Sequence, residues 1–391
     1  MKGISILLLI FYSWNSWGQY NSGTSYFSPN NYIEYIAGNL PIVISAPHGG
    51  YDTTTAIPDR NCSGCSYARD SYTQELSRAL KDALYAKTGC YPHVIINRLH
   101  RRKLDANRAI GDAADGNIDA ENAWYAFHEF IDTAKNKVAS NYTKGLYLDM
   151  HGHAHTIQRL ELGYVLSGTT LRQTDSLLNL EGSSIENLVN ANPNNYSLSK
   201  LLRGTNSFGT LCEQKGYLSV PSFSTPYPLS TEPYFGGGYN TNRHGSELGG
   251  TIDGIQIECN SGVRFGLSNR EAFADSLAEV ILDYLDIHYF PNLSTSYCLA
   301  TSVKDLQVEN SRSSVFPNPT KDQIFIHAKE YPVVVNIYNN LGQFIRKITV
   351  ESTTDQIDLS NFDCGLLFLQ LQQKNGQIEA QKIIKDCPWR N

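Results

Sequence analysis

Two hydrophobic periods alternate along most of the chain. The run "LPIVISAPH" (40–48) is apolar and β-branched and breaks at Pro47, which predicts a buried strand ending at His48. In "SYTQELSRALKDALYAKTG" (71–89), Leu76, Ala79, Leu80, Ala83 and Leu84 recur at helical spacing, and Gly89 is a natural stop. The same reading predicts strands at 93–99, 145–150 and 254–260, and helices at 122–139 and 270–289. Strands alternating with helices predict an α/β domain with a mostly parallel sheet flanked by helices. Ligands of such sheets gather at the carboxyl ends of strands, where His48, Asp149, His151 and Glu258 fall.

Past residue 295 the pattern changes. Residues 296–312 are polar and Ser-rich, without a helical stripe, and predict a linker. Short strand-like runs then follow at 323–328, 333–339, 344–350 and 365–372, separated by turns such as "PNPTKD" and "NNLGQ". Their spacing predicts a small C-terminal all-β sandwich domain over 313–391.

Residues 1–19 read as an export signal: Lys2, then the apolar "ISILLLIFY", then Gly18 near a cleavage point before Gln19. Elsewhere no apolar run approaches the roughly 20 residues of a membrane span. The eight cysteines suit an oxidising compartment, with six from Cys62 to Cys298 and two late, at Cys364 and Cys387. "CSGC" (62–65) has no second CxxC to make a zinc site, so a small disulfide loop is the expectation. The net charge of −6 gives no reason to expect nucleic acid or an acidic membrane as partner.

Several stretches carry candidate chemistry. "LYLDMHGHAH" (146–155) sets His151, His153 and His155 in alternation, so a strand would put all three on one face, while a turn at Gly152 would not. "SAPHGG" (45–50) offers His48 beside small residues, with Asp52, Asp59 and Asp70 as acids in reach. "RLHRRKLDANR" (98–108) is basic, and arginine forks bind carboxylates. "FGGGYNTNRHG" (235–245) holds Arg243 and His244 in a Gly-rich loop without a phosphate-loop spacing. In "IQIECN" (255–260), Glu258 stands in an apolar strand, where a carboxylate is either paired or functional.

Together "APHGG", "RDSYTQEL", "RRKLDANR", "LDMHGH", "GGYNTNRHG" and "IQIECN" resemble the N-formylglutamate amidohydrolase family, relatives of the zinc carboxypeptidases, from about residue 40 to 290. The resemblance implies a zinc carboxypeptidase-like fold over 20–295 and one zinc ion. It implies His48 and His151 as metal ligands, with Asp70 as the carboxylate ligand and Asp52 as the alternative. Glu258 would be the catalytic base, and Asp149 would orient a histidine. Arg101, Asn107, Arg108 and Arg243, with His244, would grip a substrate carboxylate. His153 would line the pocket, and His155 is left without a role. Gly152 stands where the family has Ser, and 155–235 follows no motif.

The C-terminal runs "VFPNPTKDQIFI", "VNIYNNLGQFI", "IDLSNFDCGLLFLQL" and "KIIK" resemble the type A sorting domain of the type IX secretion system. That resemblance implies the type IX machinery as a partner and a secreted or cell-surface location. The reading is a secreted zinc-dependent hydrolase cleaving an amide bond next to a carboxylate: an N-acyl amino acid, peptide, cell-wall fragment or poly-γ-glutamate. The alternative is a carboxylate-binding protein on a degenerate hydrolase scaffold.

Overall fold

The computed structural model describes residues 20–62, 64–291, 298 and 313–386, apart from 329, 340–343 and 375–377. The expected export signal, nearly all of the expected linker and residues 387–391 lie outside the described residues. The chain divides into two compact units, one ending at Thr301 and one starting at Ser302.

The first unit is built on an eight-stranded sheet in the order β1-β2-β4-β3-β5-β8-β6-β7. The strands are β1 (Ser25–Phe27), β2 (Ile33–Ile36), β3 (Ile42–Ala46), β4 (His93–Asn97), β5 (Gly145–Gly152), β6 (Leu160–Gly163), β7 (Ser219–Val220) and β8 (Ile252–Cys259). The centre, β4-β3-β5-β8, is parallel, as the strand–helix alternation predicts. Antiparallel pairs attach β2 to β4 and β6 to β8, and neither β2 nor β6 was legible in the pattern.

Helices cover both faces. Leu76, Leu80 and Leu84 of the helix Thr73–Thr88 pack in one core with Ile42, Ile44, Leu148 and Ile255, joined by Phe273, Leu277 and Ile281 of the helix Leu267–His288. Gly89 ends the first helix in the left-handed conformation (φ 72°), its N–H bonding to the Tyr85 carbonyl at 2.8 Å. The opposite face buries Val43, Ile95 and Tyr147 against Phe127, Ile131 and Val138 of the helix Ile118–Tyr142. Strand alternation therefore sends Ser45, Asp149, His151, Gln256 and Glu258 to this second face. The cysteine pairs Cys62–Cys65 and Cys90–Cys298 are disulfides, the latter bringing Cys298 to the first unit, and Cys212 and Cys259 are buried and free.

The second unit has two antiparallel sheets around one core. β9 (Ser314–Phe316), β10 (Gln323–His327) and β13 (Gln356–Asp358) form one; β11 (Val333–Tyr338), β12 (Phe344–Val350), β14 (Gly365–Gln372) and β15 (Ile378–Lys385) form the other. Ile324, Ile326 and Ile357 meet Val335, Ile337, Leu369 and Leu371 between them, as alternation in each strand requires.

Candidate metal centre

Register places the chemistry in two rows across the sheet. Ser45, Asp149, Gln256 and Gly163 are successive partners on β3, β5, β8 and β6. One step nearer the carboxyl ends, His151 pairs with Glu258, and Glu258 with Glu161. His48 enters from the turn after β3. That turn is tight because a Cβ on Gly50 would lie 2.1 Å from the Leu99 carbonyl oxygen, and one on Gly49 2.6 Å from Thr73 Oγ1. The glycines admit neighbouring chain segments.

Three donors converge. Asp70 Oδ2 stands 3.3 Å from His48 Nδ1 and 3.2 Å from His151 Nδ1, and all three side chains are buried. The other ring nitrogens face carboxylates: His48 Nε2 is 2.6 Å from Asp105 Oδ1, and His151 Nε2 is 2.8 Å from Asp149 Oδ2. With a cation bound, each imidazole would donate Nε2–H to its carboxylate and offer Nδ1 inward. Ligand atoms 2.0–2.1 Å from a tetrahedral zinc ion stand roughly 3.3 Å apart, and carboxylates behind ligating histidines are the usual support. The donor set therefore fits a zinc-type cation.

Electrostatics agree. Burial opposes ionisation of Asp70, yet His48 and His151 hold its carboxyl well below the usual range. Asp105 is likewise held low against its burial, by His48 and Arg101. Burial pushes Glu258 up to about 7, against the pull of His151 and His48 and with the push of Asp70 and Glu161. Gln256 Nε2 donates to Glu258 Oε1 at 2.9 Å and fixes its direction.

The other expected site residues divide. Asn107 stays at the centre: its Nδ2 is 3.4 Å from His151 Nε2, and its Oδ1 accepts from Asn240 N at 2.8 Å. Arg108 is exposed beside it, bonded to the Asn107 carbonyl at 3.1 Å. Arg101 is committed inward, with Nε 2.9 Å from Asp105 Oδ2 and Nη1 3.6 Å from Asp70 Oδ1. Asp52 is exposed and caps Thr54 N at 2.9 Å, so it is not in the donor cluster. His244 is sealed in the interior, its Nε2 2.8 Å from His128 Nδ1, where no substrate reaches. Arg243 lies over the Trp124 ring and near Asp132, lining a separate surface cleft with Tyr239 and Leu248. His153 is buried, with Nε2 on the Arg159 carbonyl at 2.8 Å and Nδ1 accepting from His155 N at 3.1 Å. These two bonds close His153 to a substrate.

Sequence reasoning missed Asp105, Ser45 and Asn240. Asp105 sits in "RRKLDANR", the one acid in a basic run, and only the fold shows it meeting His48. Gly152 also has a local reason: a Cβ there would lie 2.3 Å from the Arg264 guanidinium carbon, and that buried arginine bonds the Cys259 and His153 carbonyls at 2.9 and 3.1 Å.

Residues 314–386 match the family described as the secretion system C-terminal sorting domain. This unit is a C-terminal sorting domain. It directs the chain to export, and so to secretion or the cell surface. Among the described residues no helix is long and apolar enough to cross a membrane. A search of curated protein sequences gave no match. Among solved structures, the chain is similar to the N-formylglutamate amidohydrolase of Ralstonia eutropha, at 12% identity over 64% of this chain and 95% of that one, TM-score 0.37. It is similar also to a gene product of Agrobacterium tumefaciens, at 13% identity over 66% and 98%, TM-score 0.37. A third is a candidate metallopeptidase of Shewanella amazonensis, at 11% identity over 65% and 80%, TM-score 0.29.

Proposed function

We propose that the first unit is an exported, metal-dependent hydrolase that cuts an amide bond next to a substrate carboxylate. One observation carries the reading: His48, Asp70 and His151 converge on one point, with Asp105 and Asp149 behind the rings and Glu258 beside His151 in the same row. Bound among those three donors, a zinc-type cation supplies Lewis acidity toward a carbonyl oxygen and a water.

The chain's own groups do the rest. Glu258, whose buried carboxyl is pushed up to about 7, takes the proton of the attacking water. Gln256 keeps that carboxylate aimed along the row. Asp105 and Asp149 hold the imidazoles in the Nε2–H tautomer, so Nδ1 stays available. Exposed Arg108, next to Asn107, supplies the cation for the substrate carboxylate. Arg101, turned onto Asp70 and Asp105, positions the acids instead.

The test is a screen of the zinc-loaded chain against N-acyl amino acids and short peptides, each beside its carboxamide analogue. Turnover of the free acids, lost in Glu258→Gln with cation content and fold kept, supports the reading. Near-normal kcat in Glu258→Gln overturns the base assignment. Tight binding of the acids with no turnover by the parent chain favours a binding protein.

A further inference from the structure

Beyond Glu258 lies a second polar group with no role in the mechanism above. Glu161, on β6, is the direct antiparallel partner of Glu258, so the two side chains rise from the same face in neighbouring strands. Glu161 is fully buried, and both its oxygens are used. Oε1 is 2.8 Å from His155 Nδ1, and Oε2 accepts from Phe235 N at 2.8 Å. The His155 ring stacks on Phe235, with centroids 4.7 Å apart and planes at 20°, and its side chain is 21% exposed. Its Nδ1–H is thus taken by a buried carboxylate, and Nε2 makes no hydrogen bond among the described residues. The loop that carries Phe235 continues over the site: Gly238 lies where a Cβ would meet Asn107 Nδ2 at 2.6 Å and Gln256 Oε1 at 3.1 Å.

His153, His155 and Glu161 could be read as a second cation cluster, since their ligand atoms lie within 4.8 Å of one another. Against that, both His153 nitrogens already bond backbone groups, which leaves only two donors. A carboxylate-held imidazole on a partly exposed side chain, its far nitrogen not bonded among the described residues, is instead the arrangement of a proton donor.

We propose that His155, held by Glu161, is the acid that protonates the leaving nitrogen; the proposal rests on the hydrolase reading. The row His151–Glu258–Glu161 then runs from cation side to base to the carboxylate that holds the acid, at the roughly 5 Å spacing of neighbouring strands. The attacking water gives its proton to Glu258 and its hydroxide to the carbonyl carbon. As the C–N bond breaks, its electron pair stays on nitrogen and His155 Nε2–H supplies the proton there. The new carboxylic acid returns a proton to His155 through solvent. Glu258 passes its own to the amine, which leaves as the ammonium.

The test compares an alkylamide with an activated aryl ester of the same acyl group, in the parent chain, His155→Gln and His155→Phe, the last keeping a ring on Phe235. An alkylamine leaves only when protonated, and a phenolate leaves unaided. Both variants are expected to lose about a hundredfold to ten-thousandfold in kcat on the amide and to stay near parental on the ester. Cation content should match the parent. Equal loss on both substrates, or misfolding of both variants, assigns His155 a structural role and overturns the proposal. Loss of cation from the variants overturns it in favour of a metal ligand. A parent chain inactive on both substrates overturns the hydrolase reading itself.

Discussion

Replacing Asp105 by Asn keeps the shape of the side chain and removes its charge. Asp105 is 1% exposed, and its carboxylate meets His48 Nε2 at 2.6 Å, Arg101 Nε at 2.9 Å and Asn107 N at 3.1 Å. An Asn carbonyl oxygen at the Oδ1 position can still accept from His48 and Asn107. The Asn NH2 then faces the Arg101 N–H, donor against donor, and the negative charge behind the ligating ring is gone. Losing such support behind a ligating histidine costs about ten- to a hundredfold in metal affinity, or about 1.4–2.7 kcal/mol. Competition with a chromophoric chelator for zinc near neutral pH measures the difference, with far-UV circular dichroism checking the fold. Affinity equal to the parent would refute the idea that Asp105 serves the metal through His48. A loss as complete as in His48→Ala would refute it too, because a supporting carboxylate tunes a site and does not make it.

Other outcomes follow from burial and chain geometry. Cys90–Cys298 closes a loop with a sequence separation of 208, so Cys90→Ser should cost up to about 5 kcal/mol on a chain-entropy account and lower Tm clearly; an unchanged Tm would mean the bridge does not restrain the unfolded chain. His93 is wholly buried, accepts from Tyr35 OH at 2.8 Å on Nδ1, and is pushed by burial from 6.5 down to about 3. Its lowered folded-state value means that unfolding takes up a proton below pH 6.5. Stability should therefore fall by about 1.4 kcal/mol per pH unit from there toward 3, and His93→Gln should flatten that slope in urea titrations. Gly50→Ala forces a Cβ to within 2.1 Å of a backbone oxygen and should cost about 1–3 kcal/mol while displacing the turn that carries His48, read as a lower Tm together with weaker zinc binding.

The central strands and the long helices were legible because each is long enough to display a period. Gly89 marked a helix end for a reason the structure repeats, a left-handed cap. The stretch 155–235 was opaque because its helices, such as Gly168–Leu171 and Glu186–Ala191, run too few turns to show a stripe, and β6 and β7 are short. His48 and His151 could be singled out, since residue type and strand ends both pointed to them, and Asp70 followed from the family resemblance, with Asp52 as its alternative. Their supports could not. Asp105 and Glu161 become meaningful only through contacts across the fold, with His48 fifty-seven positions away and with Glu258 on a neighbouring strand. His244 and Arg243 misled for the converse reason: a Gly-rich loop with two cations resembles a substrate clamp, and only packing shows one sealed against His128 and the other beside Asp132.

The most direct measurement is elemental analysis of the purified full chain beside His48→Ala and His151→Ala, prepared identically after zinc loading and dialysis. The account predicts a single cation per parent chain, lost from each variant while circular dichroism shows the fold retained. A cation that survives either substitution, or none in the parent, would contradict a site built jointly by the turn after β3, the helix entrance at Asp70 and the end of β5.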